Sequence, residues 1–353
     1  MGIDVRQFSS DKILKHLDRV NAWLQGQNPP PVTVELDMTN LCNHKCPECS
    51  GWYSQKRGAV YLHNSLAENI IKQLAQAKIR GLIFTGGGEP LCHPGILMAV
   101  KLAHKLGLDI GFISNGSLIN QEIARVLLKC CTWLRISLDA DSPEVFKQVH
   151  GLDGDAFGKV ISNIQLLTKM KKTLKSKTII GVGYLTCDYT QSMMLSATKL
   201  CKGLGVDYLQ FRPLQIHKQG AFEYHLTDLT DNIQKCRQED KDGSFRVLYS
   251  QHKYDMMKDK KYGRNYKECY GHQFAAVIAA DAKMYLCCHM RGHQKYCVGD
   301  LRKNTFQEIW DSQQRKKVAE NINFKDCVPL CRGNTFNQIL WNIKQPKEHV
   351  NFL

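Results

Sequence analysis

The sequence lacks the features that direct a chain into or across a membrane. No apolar run among its 353 residues approaches the length needed to span a bilayer. The first residues, MGIDVRQFSSDK, contain no apolar core of the kind found in a secretory signal, which argues against secretion. The sequence therefore predicts a cytoplasmic protein without a membrane partner.

Acidic residues are scarce relative to basic ones. Asp and Glu number 33 against 48 Lys and Arg, which leaves a formal net charge of +15. An excess of this size is compatible with a polyanion partner. However, the densest basic runs, at 169–177 and 258–267, lack the regular aromatic residues or the module of a nucleic-acid-binding protein. A solvated basic surface is the simpler interpretation, and we expect no nucleic acid partner.

Cysteine, by contrast, is abundant, with 15 residues. In the absence of a secretory signal, we do not expect a disulfide framework. Cysteines in a reducing compartment serve as thiols, metal ligands or catalytic groups. The rest of the composition, 43% hydrophobic and 23% charged, is that of a globular protein with a sizeable core. The cysteines are therefore the first candidates for the chemistry of the protein.

A unit of one strand and one helix recurs along the first two thirds of the sequence. Helical periodicity separates six segments that have the alternation or the apolar run of a strand. These segments are VTVELDM (32–38), GLIFTGG (81–87), LDIGFIS (108–114), LRISLD (134–139), TIIGVGYL (178–185) and VDYLQFRP (206–213). Eight such units would close a full barrel. Six predict an α/β fold with a partial, open (β/α)6 barrel whose helices cover the outer face.

The repeat ends at Pro213, and a cysteine-rich segment follows from Cys269. There, FAAVIAADAKMYLCC resembles two short strands joined by a turn at 281–283. The sequence thus predicts three regions, the last a linker followed by a small cysteine-rich α+β module. The predicted boundaries are an N-terminal helical extension at 1–31, the barrel at 32–213, and the linker with the module at 214–353.

Two segments carry the capping-box pattern of a helix start. Ser65 with Glu68 predicts the start of a helix through about residue 78. Thr305 with Glu308 predicts the start of the helix TFQEIWDSQQRKKVAE.

Three cysteines, Cys42, Cys46 and Cys49, lie within eight residues just after the first predicted strand. In a parallel α/β barrel, the loop after a strand lies on the catalytic face. Soft thiolates select zinc, copper(I) or iron–sulfur clusters, and three of them can hold three irons of a cubane and leave the fourth free. By spacing alone, a zinc site completed by His44 or a distant cysteine fits equally well.

A glycine loop, TGGGEP, follows the second predicted strand. Gly86, Gly87 and Gly88 allow the backbone to approach a ligand closely, and exposed backbone N–H and C=O groups can hold the polar end of an amino acid. The loop lies one βα unit beyond the three cysteines. This combination favours an iron–sulfur cluster over zinc.

These two motifs resemble those of the radical S-adenosylmethionine (SAM) enzymes, over about residues 32–213. The C-x3-C-x2-C spacing matches the cluster-binding loop of that family, and GGEP (87–90) matches its motif for the methionine amino group. The resemblance implies a [4Fe-4S] cluster on Cys42, Cys46 and Cys49, whose unligated iron chelates SAM. One electron, from a donor such as a flavodoxin or ferredoxin, then splits the S–C5′ bond. The 5′-deoxyadenosyl radical abstracts a hydrogen atom from the substrate.

The same resemblance implies which other residues contact the cofactor. They are Gly87, Gly88, Glu89, Asn115 and Ser137. Two positions depart from the family pattern. Glu48 stands where an aromatic residue usually lies near the adenine, so Trp52 or Tyr53 is the substitute that we expect. His150 stands near the place of an Arg that many relatives carry.

Six further cysteines lie in the last third of the chain: Cys269, Cys287, Cys288, Cys297, Cys327 and Cys331. Two separated pairs converging on one centre suit a four-thiolate site for zinc or a second cluster. The segment resembles the auxiliary-cluster modules, SPASM or the shorter twitch, that follow many radical SAM barrels. Too few cysteines remain to fill two further clusters, so we expect the twitch form with one auxiliary [4Fe-4S] cluster. Its predicted ligands are Cys269, Cys287, Cys327 and Cys331. Cys288 and Cys297 are then spare: each is either a small buried thiol or a hydrogen-atom donor to a substrate radical.

Three functions remain open at this point. The first is a radical SAM dehydrogenase or epimerase acting on a small polar molecule such as a sugar, an aminocyclitol or a nucleoside. The second is a radical SAM enzyme that modifies peptides, although residues 1–31 are short for a leader-peptide recognition domain. The third is a non-enzymatic, metal-stabilised nucleic-acid-binding protein, which leaves TGGGEP and the barrel unexplained.

Overall fold

A computed structural model describes residues 10–49, 58–218, 221–223, 229–241, 243–259, 263–346, 348–349 and 351. Trp52 and Tyr53 lie outside these ranges. The strands within them are β1 (Thr33–Asp37), β2 (Gly81–Thr85), β3 (Asp109–Ser114), β4 (Trp133–Ser137), β5 (Ile179–Thr186), β6 (Tyr208–Pro213), β7 (Ile216–Lys218), β8 (Ala221–Glu223), β9 (Arg246–Tyr249), β10 (Ala275–Ile278), β11 (Lys283–Tyr285) and β12 (Cys297–Asp300).

The α-helices of the same ranges alternate with the first six strands and then become irregular in spacing. They are α1 (Leu17–Leu24), α2 (Asn64–Gln76), α3 (Ile96–Lys105), α4 (Gln121–Cys130), α5 (Pro143–His150), α6 (Ala156–Thr173), α7 (Met194–Gly203), α8 (Thr230–Arg237), α9 (Gln251–Lys258), α10 (Phe306–Asp311), α11 (Gln313–Glu320) and α12 (Asn334–Lys344). None of these helices is long and apolar enough to cross a membrane.

Ten strands form one sheet, in the order β12-β11-β10-β1-β2-β3-β4-β5-β6-β9. The pairings from β10 through β1 to β6 and on to β9 are parallel, whereas β11 and β12 add antiparallel strands at one edge. The predicted partial barrel is confirmed. Two parallel strands that the repeat does not include, β9 and β10, extend it at its two ends.

Side chains of the barrel strands alternate between two environments. Leu82 and Phe84 in β2, and Leu134 and Ile136 in β4, are fully buried in the core under the outer helices. The residues between them face the inside of the barrel, where they line a cavity of about 2210 Å³. This period-two pattern sends every second residue of each strand into the candidate site.

The N-terminal segment packs against the C-terminal module. Trp23 of α1 contacts Tyr270 and Phe274, with ring centroids 5.0 and 5.7 Å apart, and Leu340 of α12 belongs to the same apolar cluster. Trp310 of α10 donates its indole N–H to the carbonyl of Pro29 (3.0 Å). The first and last segments of the described chain therefore share one small core beside the sheet.

One of the two predicted capping boxes is present. In α10, Thr305 Oγ1 accepts from the N–H of Glu308 (3.3 Å), and the Glu308 carboxylate accepts from the N–H of Thr305 (2.8 Å). The predicted helix divides at Ser312, whose hydroxyl accepts from the N–H of Arg315 and caps α11.

The prediction of the other capping box, at Ser65 and Glu68, is wrong. The N-cap residue of α2 is His63, without a side-chain cap hydrogen bond. Ser65 Oγ lies 2.8 Å from the Nδ1 of His63, and Glu68 pairs with Lys72 one turn further along. Both side chains that the pattern assigns to the cap therefore have other partners.

Gly181 allows the closest approach between β5 and β6. A Cβ built at this position would lie 1.9 Å from Cζ of Tyr208, its register partner. We expect Gly181→Ala to lower the free energy of unfolding by about 1–3 kcal/mol, as overpacked cores do. In urea unfolding, the control Gly203→Ala, at a helix position with nothing within 4 Å, should be neutral or stabilising by up to about 1 kcal/mol. Equal effects of the two changes would contradict this packing.

Candidate active site

The three-cysteine loop lies at the carboxyl end of β1, and all three thiols line the cavity. Burial raises the pKa of Cys42 to about 11, and it raises that of Cys46 further, with the charges of Cys49 and Cys42 adding to the effect. The thiols of Cys42 and Cys46 are therefore protonated at neutral pH when no metal is bound. Binding of a metal centre must displace their protons. The donor set fits a cluster held by three thiolates.

Gly88 sets the spacing between the glycine loop and the cysteine loop. A Cβ added to Gly88 would lie 2.1 Å from the carbonyl oxygen of Leu41. The N–H of Glu89 donates to that same carbonyl at 2.7 Å. The loop after β2 is therefore packed directly on the residue before Cys42. The sequence predicts that Gly88 contacts a ligand. Its close packing on Leu41 has no signal in the sequence.

Glu89 joins the glycine loop to the end of β3. Its carboxylate accepts from the hydroxyl of Ser114 (2.8 Å) and from the N–H groups of Asn115 (2.7 Å) and Leu91 (3.1 Å). Burial nevertheless raises its pKa to about 7. Glu89 lines the cavity, but much of its hydrogen-bonding capacity serves the loops themselves. Gly87, beside it, donates its N–H to Asp37.

Asn115 and Ser137, the other two predicted cofactor contacts, both line the cavity. The Nδ2 of Asn115 donates to Oδ1 of Asn43 (2.9 Å) and lies 3.9 Å from Sγ of Cys42. Asn115 therefore supports the cysteine loop directly. Ser137 ends β4 on the inward face. The structure thus brings the predicted site residues of the first motif set to one end of the barrel.

Two histidines lie behind the cysteine loop. His150 donates its Nε2–H to the carbonyl of Leu138 (2.9 Å), so its Nδ1 acts as an acceptor 3.2 Å from Nδ1 of His44 and 3.4 Å from Sγ of Cys46. Burial lowers the pKa of His44 to about 4 and also lowers that of His150, so both rings are neutral at pH 7. Ligand atoms of His44, Cys46 and His150 lie within 4.8 Å of one another, a group that shares His44 and Cys46 with the zinc alternative but does not contain Cys42 or Cys49.

Cys92 is a neighbour of the cysteine loop that the sequence reasoning missed. Its Sγ lies 3.8 Å from Oδ1 of Asn43, and its charge contributes to the raised pKa of Cys42. Its position in the sequence could have indicated this, because Cys92 follows GGEP by two residues and therefore lies on a loop expected at the same end of the barrel.

The predicted auxiliary ligands come from separate segments that the fold brings together. Cys331 is their common neighbour, because its charge contributes to the raised pKa values of Cys269, Cys287 and Cys327. Cys269 precedes β10, Cys287 follows β11, and the other two lie between α11 and α12. That these four thiols together hold one auxiliary cluster stays a prediction.

The two spare cysteines have different surroundings. Cys288 lines the cavity. Cys297 lies in the edge strand β12, where its Sγ donates to the carbonyl of Gly299 (3.6 Å). It is not among the described residues that line the cavity. Of the two, Cys288 is therefore the one placed to meet a substrate.

A buried ion-pair network connects β1 to the C-terminal module. Arg291 pairs with Glu35 (2.9 Å) and with Asp37 (2.5 Å), and Arg332 also pairs with Glu35. Arg332 directly follows Cys331, and Arg291 is three residues beyond Cys288. The acidic inward face of β1 thus holds both cysteine-bearing loops against the barrel.

Comparison with known proteins identifies the class. Residues 36–194 match the model of the radical SAM superfamily, and residues 269–334 match that of SPASM, an iron–sulfur cluster-binding domain. The chain is therefore a radical SAM enzyme with a SPASM-type domain, and this combination implies [4Fe-4S] clusters and SAM as its cofactors. The predicted class, fold and cofactors are confirmed. The prediction of a non-enzymatic nucleic-acid-binding protein is wrong.

Two relatives align with most of the chain. The AdoMet-dependent heme synthase of Methanosarcina barkeri is 21% identical over 322 residues, which cover 85% of this chain and 88% of that protein. The second relative is the tungsten-containing aldehyde ferredoxin oxidoreductase cofactor-modifying protein of Pyrococcus furiosus. It is 22% identical over 322 residues, which cover 83% of this chain and 85% of that protein. Six further curated relatives match over less than half of their length.

Among solved structures, Streptococcus suis SuiB bound to its precursor peptide SuiA has a TM-score of 0.65. The likeness covers 87% of this chain and 71% of that chain, at 13% sequence identity. At this identity, the likeness shows the shared fold.

The ion pairs of Glu35 yield a stability prediction. Glu35→Gln leaves Arg332 without its charge partner and Arg291 with Asp37 alone, so we expect the free energy of unfolding to fall by about 2 kcal/mol. The loss is smaller than for a fully buried pair, because the Arg332 side chain is 52% exposed. Urea unfolding measures it, with Glu68→Gln as control. Glu68 pairs with Lys72 on the surface, and its loss should cost less than about 0.5 kcal/mol. A Glu35→Gln effect no larger than that of the control would contradict a structural role for the network.

Proposed function

We propose that the protein cleaves SAM reductively and abstracts a hydrogen atom from a small polar substrate, such as a sugar, an aminocyclitol or a nucleoside, in a dehydrogenation or an epimerisation. One observation carries this proposal. The three-cysteine loop and the cysteine-bearing segment 288–289 of the SPASM-type domain line the same cavity inside the barrel. A substrate held in that cavity is within reach of both sides of the site.

Two sets of cysteines are the predicted ligands of two clusters. Cys42, Cys46 and Cys49 would hold the first cluster, which supplies the electron and the open iron site for SAM when bound. Cys269, Cys287, Cys327 and Cys331 would hold one auxiliary cluster. The glycine loop and Asn115 keep the cysteine loop in place.

The two relatives that align over most of the chain support a substrate other than a peptide, because their names describe a heme synthase and a cofactor-modifying protein. A peptide-modifying enzyme is the second candidate. The cavity volume of about 2210 Å³ favours it, since a drug-sized ligand needs only about 300–1,000 Å³. The SuiB likeness is compatible with it. For either substrate, we expect an external one-electron donor such as a flavodoxin or ferredoxin, in a cytoplasmic, reducing environment.

Iron content and SAM cleavage test the proposal together. Anaerobic reconstitution should give about eight irons per chain, for two cubanes. Dithionite should then convert SAM to 5′-deoxyadenosine, quantified by liquid chromatography. Cys46→Ala should lose about four irons and the cleavage activity. Cys92→Ala is the matched control, since its thiol lies beside the same loop, and it should retain both. Zinc on the loop, or SAM left intact by the reduced protein, would refute the proposal.

Replacement of Cys288 separates the two reaction types. If Cys288 donates a hydrogen atom, Cys288→Ala retains iron and SAM cleavage but forms no epimerised product, and the wild-type product carries deuterium from solvent. Cys297→Ala, the control, should keep wild-type turnover because its thiol lies away from the cavity. Mass spectrometry of the product measures the label. Unchanged turnover in Cys288→Ala rules out the donor role, and loss of two hydrogens from the substrate identifies a dehydrogenation.

A further inference from the structure

Two arginines on the wall formed by β4, β5 and β6 face the cavity as close neighbours. Arg135 lies in β4 and Arg212 in β6, and both line the cavity. Gly183 of β5 separates them. A Cβ built on this glycine would lie 2.9 Å from Nη2 of Arg212 and 3.7 Å from Nε of Arg135. Both guanidinium groups thus occupy the space that a side chain at position 183 would need.

Only some of the hydrogen-bond donors of these two guanidinium groups have a partner in the described part of the protein. Arg135 Nη1 donates to Oε1 of Gln210 at 3.2 Å. The Nε atoms of Arg135 and Arg212 are buried and have no hydrogen-bond partner among the described residues. Burial, and then the charge of Arg212, lowers the pKa of Arg135 to about 9. Two half-buried like charges whose buried Nε donors have no partner are costly unless an anion joins them.

A third cation approaches the same wall from α9. Lys253 is buried and lines the cavity. Burial, and then the charge of Arg212, lowers its pKa to about 8. The carboxylate of Asp139 acts on both arginines at a distance, but its Oδ1 accepts from the N–H of Leu185. Three cations therefore face one carboxylate that is already engaged.

On the opposite wall, the inward-facing charged side chains are neutralised by ion pairs within the protein. Glu35 and Asp37 of β1 also point inward, and Arg291 and Arg332 pair with them. No comparable ion pair involves the side chains of Arg135, Arg212 or Lys253 among the described residues. The excess positive charge of the cavity is therefore concentrated on the wall of β4 to β6.

We infer that Arg135, Arg212 and Lys253 form an oxoanion subsite that binds a carboxylate or phosphate group of the substrate. The inference rests on the proposed function, because it takes this cavity as the substrate site. Guanidinium groups match carboxylate and phosphate oxygens with paired N–H donors, and a lysine adds a point charge. Arg135 lies one inward-facing position below Ser137, so the anion is held deeper than the strand end. The substrate class is thereby narrowed to carboxylated or phosphorylated small molecules.

Isothermal titration of the reconstituted holoenzyme with inorganic phosphate, and separately with succinate, tests the subsite. At least one anion should bind, and Arg135→Gln and Arg212→Gln should each weaken its affinity about tenfold or more. Arg135→Lys should restore part of the loss. The control Arg125→Gln makes the same charge change on the exposed face of α4 and should leave affinity unchanged. Tighter binding of phosphate identifies a phosphorylated substrate, and tighter binding of succinate a carboxylated one.

Thermal unfolding of the same variants separates binding from a structural role. Without added anion, Arg135→Gln should be at least as stable as wild type, because it removes a half-buried charge next to that of Arg212. Phosphate or succinate, whichever binds, should raise the melting temperature of wild type but not that of the variant. If the arginine only supported the fold, Arg135→Gln would melt at a lower temperature without anion.

SAM affinity, measured on the same samples, should be the same in Arg135→Gln and wild type. Loss of SAM affinity in the variant would assign the arginines to the cofactor's carboxylate and overturn the inference. Failure of both anions to bind wild type would overturn it too. These results are independent of SAM cleavage, so the proposed function survives if SAM is cleaved while neither anion binds.

Discussion

Glu35 shares its buried carboxylate between two arginines that flank the cysteines of the SPASM-type domain. Removing a carboxylate from water is costly, and here the cost is offset by charge partners from a segment more than 250 residues away in sequence. The pairing works only when the loops of Cys288 and Cys331 lie against β1. Because β1 also leads into the loop of Cys42, the ion pairs of Glu35 hold the C-terminal cysteine loops against the strand that carries the first cysteine set. Cys42, Cys46, Cys49 and Cys288 line the same cavity.

The charges inside the barrel explain how such a cavity acquires selectivity. Parallel strands send every second side chain inward, so any charge at those positions is held away from solvent. On β1 the acids are neutralised within the protein, whereas on β4 to β6 the arginines keep unused donors. An anionic substrate completes that wall and is positioned by it. Gly183 lies between the two arginines, and its lack of a side chain leaves room for both guanidinium groups.

Local patterns in the sequence predicted the features that depend on local physics. Period-two alternation located the six barrel strands, and the spacing of Cys42, Cys46 and Cys49 indicated a centre with three thiolates. Features that depend on distant contacts were not predictable. The strand RVLY (246–249) is short and outside the repeat, and it is a strand because it pairs with β6. The capping pattern at Ser65 failed because His63 and Lys72 offered nearer partners. The ion pairs of Glu35 have no local signature in the sequence.

One iron that the protein leaves without a thiolate is central to the proposed chemistry. Mössbauer spectroscopy of ⁵⁷Fe-reconstituted protein, recorded before and after addition of SAM, observes that iron directly. We predict that SAM alters the signal of a single iron in the cluster of Cys42, Cys46 and Cys49, because its amino and carboxylate groups raise the coordination number of that iron alone. Spectra that are identical with and without SAM would contradict the account, since they would mean that every iron is already fully ligated by the protein.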